Sequence, residues 1–118
     1  MGRMYVNENQ VLLRQLIEIY QPNGFDWLMY QITKSNTLTL HHVDEVSEGG
    51  KLTVANSAIL TKKSHRALNM CESRDPYLYI IINEFFREII ENAGPLSPEM
   101  IEESKDLKRS LTRTLYRK

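Results

Sequence analysis

The stretch Leu40-His41-His42-Val43, followed by Gly49-Gly50, Asn56 and His65, decides how this chain is read. It holds all three histidines of the sequence within residues 41–65. Two adjacent imidazoles, a paired-glycine loop, an amide side chain and a distal imidazole are residue types that hold a cation and move a proton near neutral pH. Adjacent strand residues point to opposite faces, so His41 and His42 can take different tasks if the strand is twisted or bulged. Gly49-Gly50 allows positive φ in a tight loop.

The surrounding pattern places these residues on elements. Thr37 to Val43 alternates β-branched and apolar residues, which predicts a strand. Asp44 to Gly50 is acidic, serine- and glycine-bearing loop. Lys51-Leu52-Thr53-Val54 predicts a second short strand. A helix is expected from Asn56, a good N-cap residue, to about Glu72. Upstream, Val11, Leu12, Leu16, Ile19 and Tyr20 predict an amphipathic helix over 8–20. Pro22-Asn23-Gly24 stops it, and the apolar run 25–33 predicts a short helix with Trp27 as a core anchor. Downstream, a helix is expected over 77–91, with Leu78, Ile81, Ile82, Phe85, Ile89 and Ile90 on one side. Asn92-Ala93-Gly94-Pro95 stops it. Ser97-Pro98-Glu99 caps and opens a last helix with a Leu107, Leu111, Leu115 stripe. The fold class expected is α+β, mainly helical. A hairpin–helix unit over 37–72 is flanked by helices over 8–33 and 77–118, in one domain over 1–118.

Composition is compatible with that plan. With 118 residues, 42% apolar and 25% charged, the chain suits one globular domain with a modest core. No run of 18 apolar residues is present and the first residues have no signal-peptide core, so a cytoplasmic address and no membrane partner are expected. Cys71 is the one cysteine, which excludes an intrachain disulfide and a cysteine zinc knuckle. It is expected to be buried, with Met29, Met70 and Met100 as core filler. Formal net charge is zero, but charge is segregated. Residues 84–103 hold six acidic residues against Arg87, whereas residues 105–118 hold six basic ones against Asp106. A basic segment of this kind can contact phosphates even in a neutral protein.

His41-His42, six residues, Gly49-Gly50, five residues, Asn56, eight residues, His65 resembles the HNH endonuclease motif of the ββα-metal fold. The similarity spans residues 37–72. It implies that His41 and His65 ligate a divalent metal, His42 is the general base, and Asn56 bonds backbone to orient that base. Asn69, one helical turn beyond His65, stands where several members of the family have another histidine. Its amide oxygen suits a hard cation, so magnesium or manganese is favoured, with zinc possible. Many members bracket the motif with Cys-x-x-Cys pairs, whereas Leu60 to Ser64 holds no cysteine, so flanking helices must supply that stability. DNA is the implied substrate. Lys62, Lys63 and Arg66 are expected to contact the neighbours of the scissile phosphate, with Lys108, Arg109 and Arg113 on the backbone. Small stand-alone proteins resembling this one belong to phages and mobile elements, in a bacterial cell or infected host. The rival expectation is a non-catalytic protein on the same scaffold, inhibiting or regulating a host protein or nucleic-acid complex. A weaker third is a DNA-binding subunit active only with a partner.

Overall fold

A computed structural model describes residues 8–44 and 53–116. The elements run α1 (Glu8–Tyr20), β1 (Leu38–His42), a 3-10 turn (Val54–Asn56), β2 (Ser57–Thr61), α2 (Lys62–Arg74), α3 (Pro76–Asn92) and α4 (Pro98–Tyr116). Among the described residues this is a mainly helical α+β arrangement with one two-stranded antiparallel sheet. Gly49-Gly50 and the first half of the expected second strand, Lys51 and Leu52, lie outside the described residues.

α1 matches its expected span because Leu12, Leu16 and Tyr20 recur at helical spacing and are all buried. The apolar run 25–33 is not a helix. The Asp26 carboxylate captures local backbone instead, accepting from Leu28 N at 2.8 Å and Tyr30 N at 3.0 Å. Its other oxygen accepts from Thr61 N at 2.7 Å and Ser64 Oγ at 2.5 Å. An aspartate that bonds nearby amides offers the chain a turn in place of a helix. Met29 completes that turn at φ 61°.

β1 and β2 pair in the register Leu38↔Thr61, Leu40↔Ile59 and His42↔Ser57. The second strand therefore lies beyond the expected 51–54, and the expected helix start at Asn56 is a strand entrance. All five residues of β2 are buried. A strand covered on both faces loses the period-two signature, and Ala58-Ile59-Leu60 then resembles a buried helical stretch. α2 begins at Lys62, capped by Thr61 Oγ1, which accepts from Ser64 N at 3.2 Å.

α1 packs on the hairpin, while α2 packs on the hairpin and on both α3 and α4. Leu78, Ile82, Phe85, Phe86 and Ile89 of α3 enter the core with Leu107, Leu111 and Leu115 of α4. Ile81, expected inside, is 45% exposed, and Met70 is exposed as well, so neither fills the core. Met29 is half-buried and Met100 packs at the core edge. Trp27 and Cys71 are buried as expected, and burial pushes the Cys71 thiol up to about 11. A thiol so placed is inert. α3 ends at Ala93 in the left-handed conformation, φ 52°, and α4 opens with Ser97 Oγ accepting from Met100 N at 3.2 Å. No helix among the described residues is long and apolar enough to cross a membrane.

Candidate functional site

Strand alternation places Thr39 and His41 on one face of β1, and the contacts of both run to α2. The rings of His41 and His65 meet edge to face at 5.6 Å between centroids. Thr39 Oγ1 lies 3.1 Å from His65 Nδ1. His41 also packs edge-on against Tyr79 and Phe86 of α3, and its Nε2 is 2.8 Å from Asn83 Oδ1. The two histidines at the ends of the motif are thus brought together, enclosed by hairpin, α2 and α3.

The partners decide where each imidazole keeps its proton. An amide oxygen only accepts, so His41 donates from Nε2 to Asn83 and its Nδ1 keeps a lone pair. The Thr39 hydroxyl donates its one proton to Leu60 O at 3.0 Å. It must then accept from His65 Nδ1–H, which leaves the lone pair of neutral His65 on Nε2. Each ring therefore has one nitrogen anchored by protein and a lone pair on the other, as an oriented metal-binding histidine has.

Burial disfavours the charged form of both rings. Burial lowers His41 to about 4, outweighing the bond to Asn83, and His65 and His42 add to the lowering. His65 is lowered too, by burial first and by His42 second. Neutral imidazole is the ligating form. The donor chemistry of His41 and His65 therefore fits a divalent cation. Among the described residues no group of three His, Cys, Asp or Glu side chains that could hold a metal ion is present. Asn69 is exposed on α2, one turn past the half-buried His65.

His42 is half-buried at the end of β1, on the strand face opposite His41, and its Nδ1 is buried with no hydrogen-bond partner among the described residues. Asn56 fixes the backbone just beyond it. Its Oδ1 accepts from Asp44 N at 2.7 Å and its Nδ2 donates to Asp44 O at 2.8 Å. Asn56 O accepts from Val43 N at 2.9 Å. Asn56 is therefore a clamp across the strand ends, and Thr61, not Asn56, caps α2. Arg87 of α3 reaches Asp44 at 2.7 Å, an exposed pair that contributes little stability.

The cations fall into two groups. Lys62, Lys63 and Arg66 are exposed at the start of α2, around His65. In the C-terminal group only Lys108 is held by the protein interior, while Lys105, Arg109 and Arg113 stay exposed with local i,i+3 partners. Lys108 Nζ donates to Met29 O at 2.9 Å and sits 4.6 Å over the Tyr30 ring. Arg109 pairs with Asp106, and Lys105 with Glu102 at 3.3 Å. Arg113 Nη2 is 3.5 Å from Ser110 Oγ. Lys108 thus ties α4 to the loop that carries Met29 and Tyr30.

Asn83, Thr39 and Asp26 were missed by inspection of the motif. Asn83 had a signal, being a lone amide within Ile80-Ile81-Ile82 and Phe85-Phe86. Thr39 had one too, being two residues before His41 on a strand. Comparison with protein families, curated proteins and solved structures returns no match to this chain.

Proposed function

We propose that this chain is a divalent-metal-dependent endonuclease of the HNH type that hydrolyses phosphodiester bonds of DNA. The observation that carries this reading is the His41–His65 pair, 5.6 Å apart, each ring oriented by a protein partner at its other nitrogen. The strand–strand–helix order around it supports the same reading. His41 through Nδ1 and His65 through Nε2 would hold the cation, with Asn69 as a further oxygen donor. Two imidazoles favour ions that accept nitrogen, so manganese and zinc are tested beside magnesium. A cation held there would supply charge to polarise the scissile phosphate and stabilise the departing oxygen. His42, the second histidine of the pair, would take the proton of the attacking water. Asn56 holds the strand end that carries it. Lys62, Lys63 and Arg66 contact neighbouring phosphates.

The test is nicking of supercoiled plasmid with each of the three ions, comparing wild type with His42→Ala. Ion-dependent nicking by wild type and none by the variant is expected. Absence of nicking with every ion, or equal nicking by both proteins, overturns the reading.

One observation favours a second reading. Tyr77, Ile80 and Ile81 of α3 are 80%, 54% and 45% exposed, an apolar stretch of the kind that marks protein contacts. A folded wild type that binds no ion and nicks nothing would support a non-catalytic scaffold that binds and regulates a protein of a host or phage.

A further inference from the structure

Away from the histidines, the loop after α1 and the face of α4 enclose a cavity of about 740 Å³. That volume suits a small ligand. Leu96, Ile101 and the buried Tyr20 and Trp27 line it, and Phe25 stands in its wall 46% exposed. Lys105 and Arg109 supply cations, and Gln21 and Asn23 bring amide side chains to the same cavity. Trp27 is 1% exposed, and its Nε1–H has no acceptor among the described residues.

This wall is held in place. Ser104 Oγ donates to Trp27 O at 2.6 Å, Lys108 Nζ to Met29 O at 2.9 Å, and Ile32 N to Gly24 O at 2.9 Å. Asp26, with four hydrogen bonds, ties it to Thr61 and Ser64. Gln21 at φ 47° and Met29 at φ 61° keep a left-handed backbone that costs free energy and persists where surrounding contacts demand it. A wall ordered before binding loses little entropy on binding.

We infer that this cavity binds one nucleotide, its base stacked on Phe25 and its phosphate on Lys105 and Arg109. An exposed aromatic ring beside cations is the combination that captures an unstacked base and its phosphate. The amides of Gln21 and Asn23 offer both donors and acceptors to a base edge. The pairs Lys105–Glu102 and Arg109–Asp106 are exposed i,i+3 pairs of low energy. They yield to a phosphate, whose bidentate match to guanidinium is stronger. The nucleotide can be free or part of a single strand, since ring and phosphate are common to both. The site does not depend on the hydrolytic reading, because none of its residues belongs to the histidine cluster.

Trp27, the sole tryptophan, lines the cavity, so its fluorescence is read beside the heat of binding by calorimetry. The probes are adenosine 5′-monophosphate and a short oligothymidylate, titrated into the full chain with a chelator present so that cleavage plays no part. Saturable change with either probe supports the site; response to the monophosphate alone assigns a free nucleotide, and to the oligomer alone a single strand. Phe25→Ala should weaken binding roughly five-fold to a hundred-fold, the range for a lost base–aromatic stack. Lys105→Gln with Arg109→Gln should weaken it and flatten its salt dependence. Phe25 is half-exposed, and an unchanged thermal melt shows that the variant is folded. No saturable change with either probe, or full affinity in folded Phe25→Ala, overturns the inference. So does saturation by a long-chain carboxylate but by neither probe.

Discussion

Asn83 Oδ1 accepts a 2.8 Å hydrogen bond from His41 Nε2 across the interface between α3 and β1. Both residues are buried, at 5% exposure each. The bond fixes the tautomer of His41 and anchors the hairpin to α3. Asn83→Leu should leave the His41 donor buried without an acceptor. The expected cost is ~1–3 kcal/mol in denaturant unfolding, the penalty of one unsatisfied buried group. If a cation binds at His41, its affinity should fall about 10- to 100-fold in the same variant, as when an orienting partner is lost. Calorimetric titration with manganese or zinc checks the second effect separately from the first.

Stability should fall on acidification through the histidine range. His41 titrates at about 4 when folded, against an ordinary value of 6.5. The unfolded chain therefore binds this proton first, and stability rises with pH across the interval. It is fully present above about 6.5 and is lost as pH falls from there toward about 4. The His41 contribution amounts to about 3 kcal/mol. His65, lowered in the same direction, adds to the slope. Urea midpoints measured between those pH values should show the decline, and His41→Asn should flatten it. An equal slope in the variant removes His41 as its source.

His42→Ala should fold as wild type does and retain any bound ion, because His42 is half-buried and Asn56 clamps the backbone beside it. Nicking should drop on the order of 10²- to 10⁴-fold, the usual contribution of a general base. Plasmid relaxation followed over time measures it.

Asp26→Ala should be among the most destabilising single changes in the chain. One carboxylate accepts from Leu28 N, Tyr30 N, Thr61 N and Ser64 Oγ, joining the loop after α1 to the start of α2. Four donors, three of them backbone amides, would lose a charged acceptor in a buried setting. At least ~3 kcal/mol is expected in chemical denaturation. A near-neutral effect would mean that water replaces the carboxylate.

Lys108→Gln should lower stability by ~1–2 kcal/mol, through its bond to Met29 O and its seat over Tyr30. Its effect on the salt dependence of nucleic-acid binding should be small, since its ammonium is already engaged. A large flattening of that slope by Lys108→Gln alone would show that this contact opens to take a phosphate.

Residues with a local physical signature were legible in the sequence. α1 and α4 were, because Leu12, Leu16 and Tyr20, and Leu107, Leu111 and Leu115, recur at helical spacing. The stop at residues 92–95 was, because Asn-Ala-Gly-Pro cannot continue a helix. β1 was, because Thr37-Leu38-Thr39-Leu40 alternates polar and apolar residues in the sequence itself. The placement of His41 and His65 on a strand and a helix was also legible. What tertiary structure alone decided is of another kind. Burial on both faces made Ser57–Thr61 a strand in a segment whose spacing resembles a helix. Four hydrogen bonds to Asp26, two of them from Thr61 and Ser64 far along the chain, made residues 25–33 a fixed loop in place of a helix. Asn83 found His41 across 42 residues of sequence. Helix caps and apolar periods are local and can be inspected residue by residue. A buried polar group must be satisfied by whatever the fold brings near it, and that neighbour is set by packing.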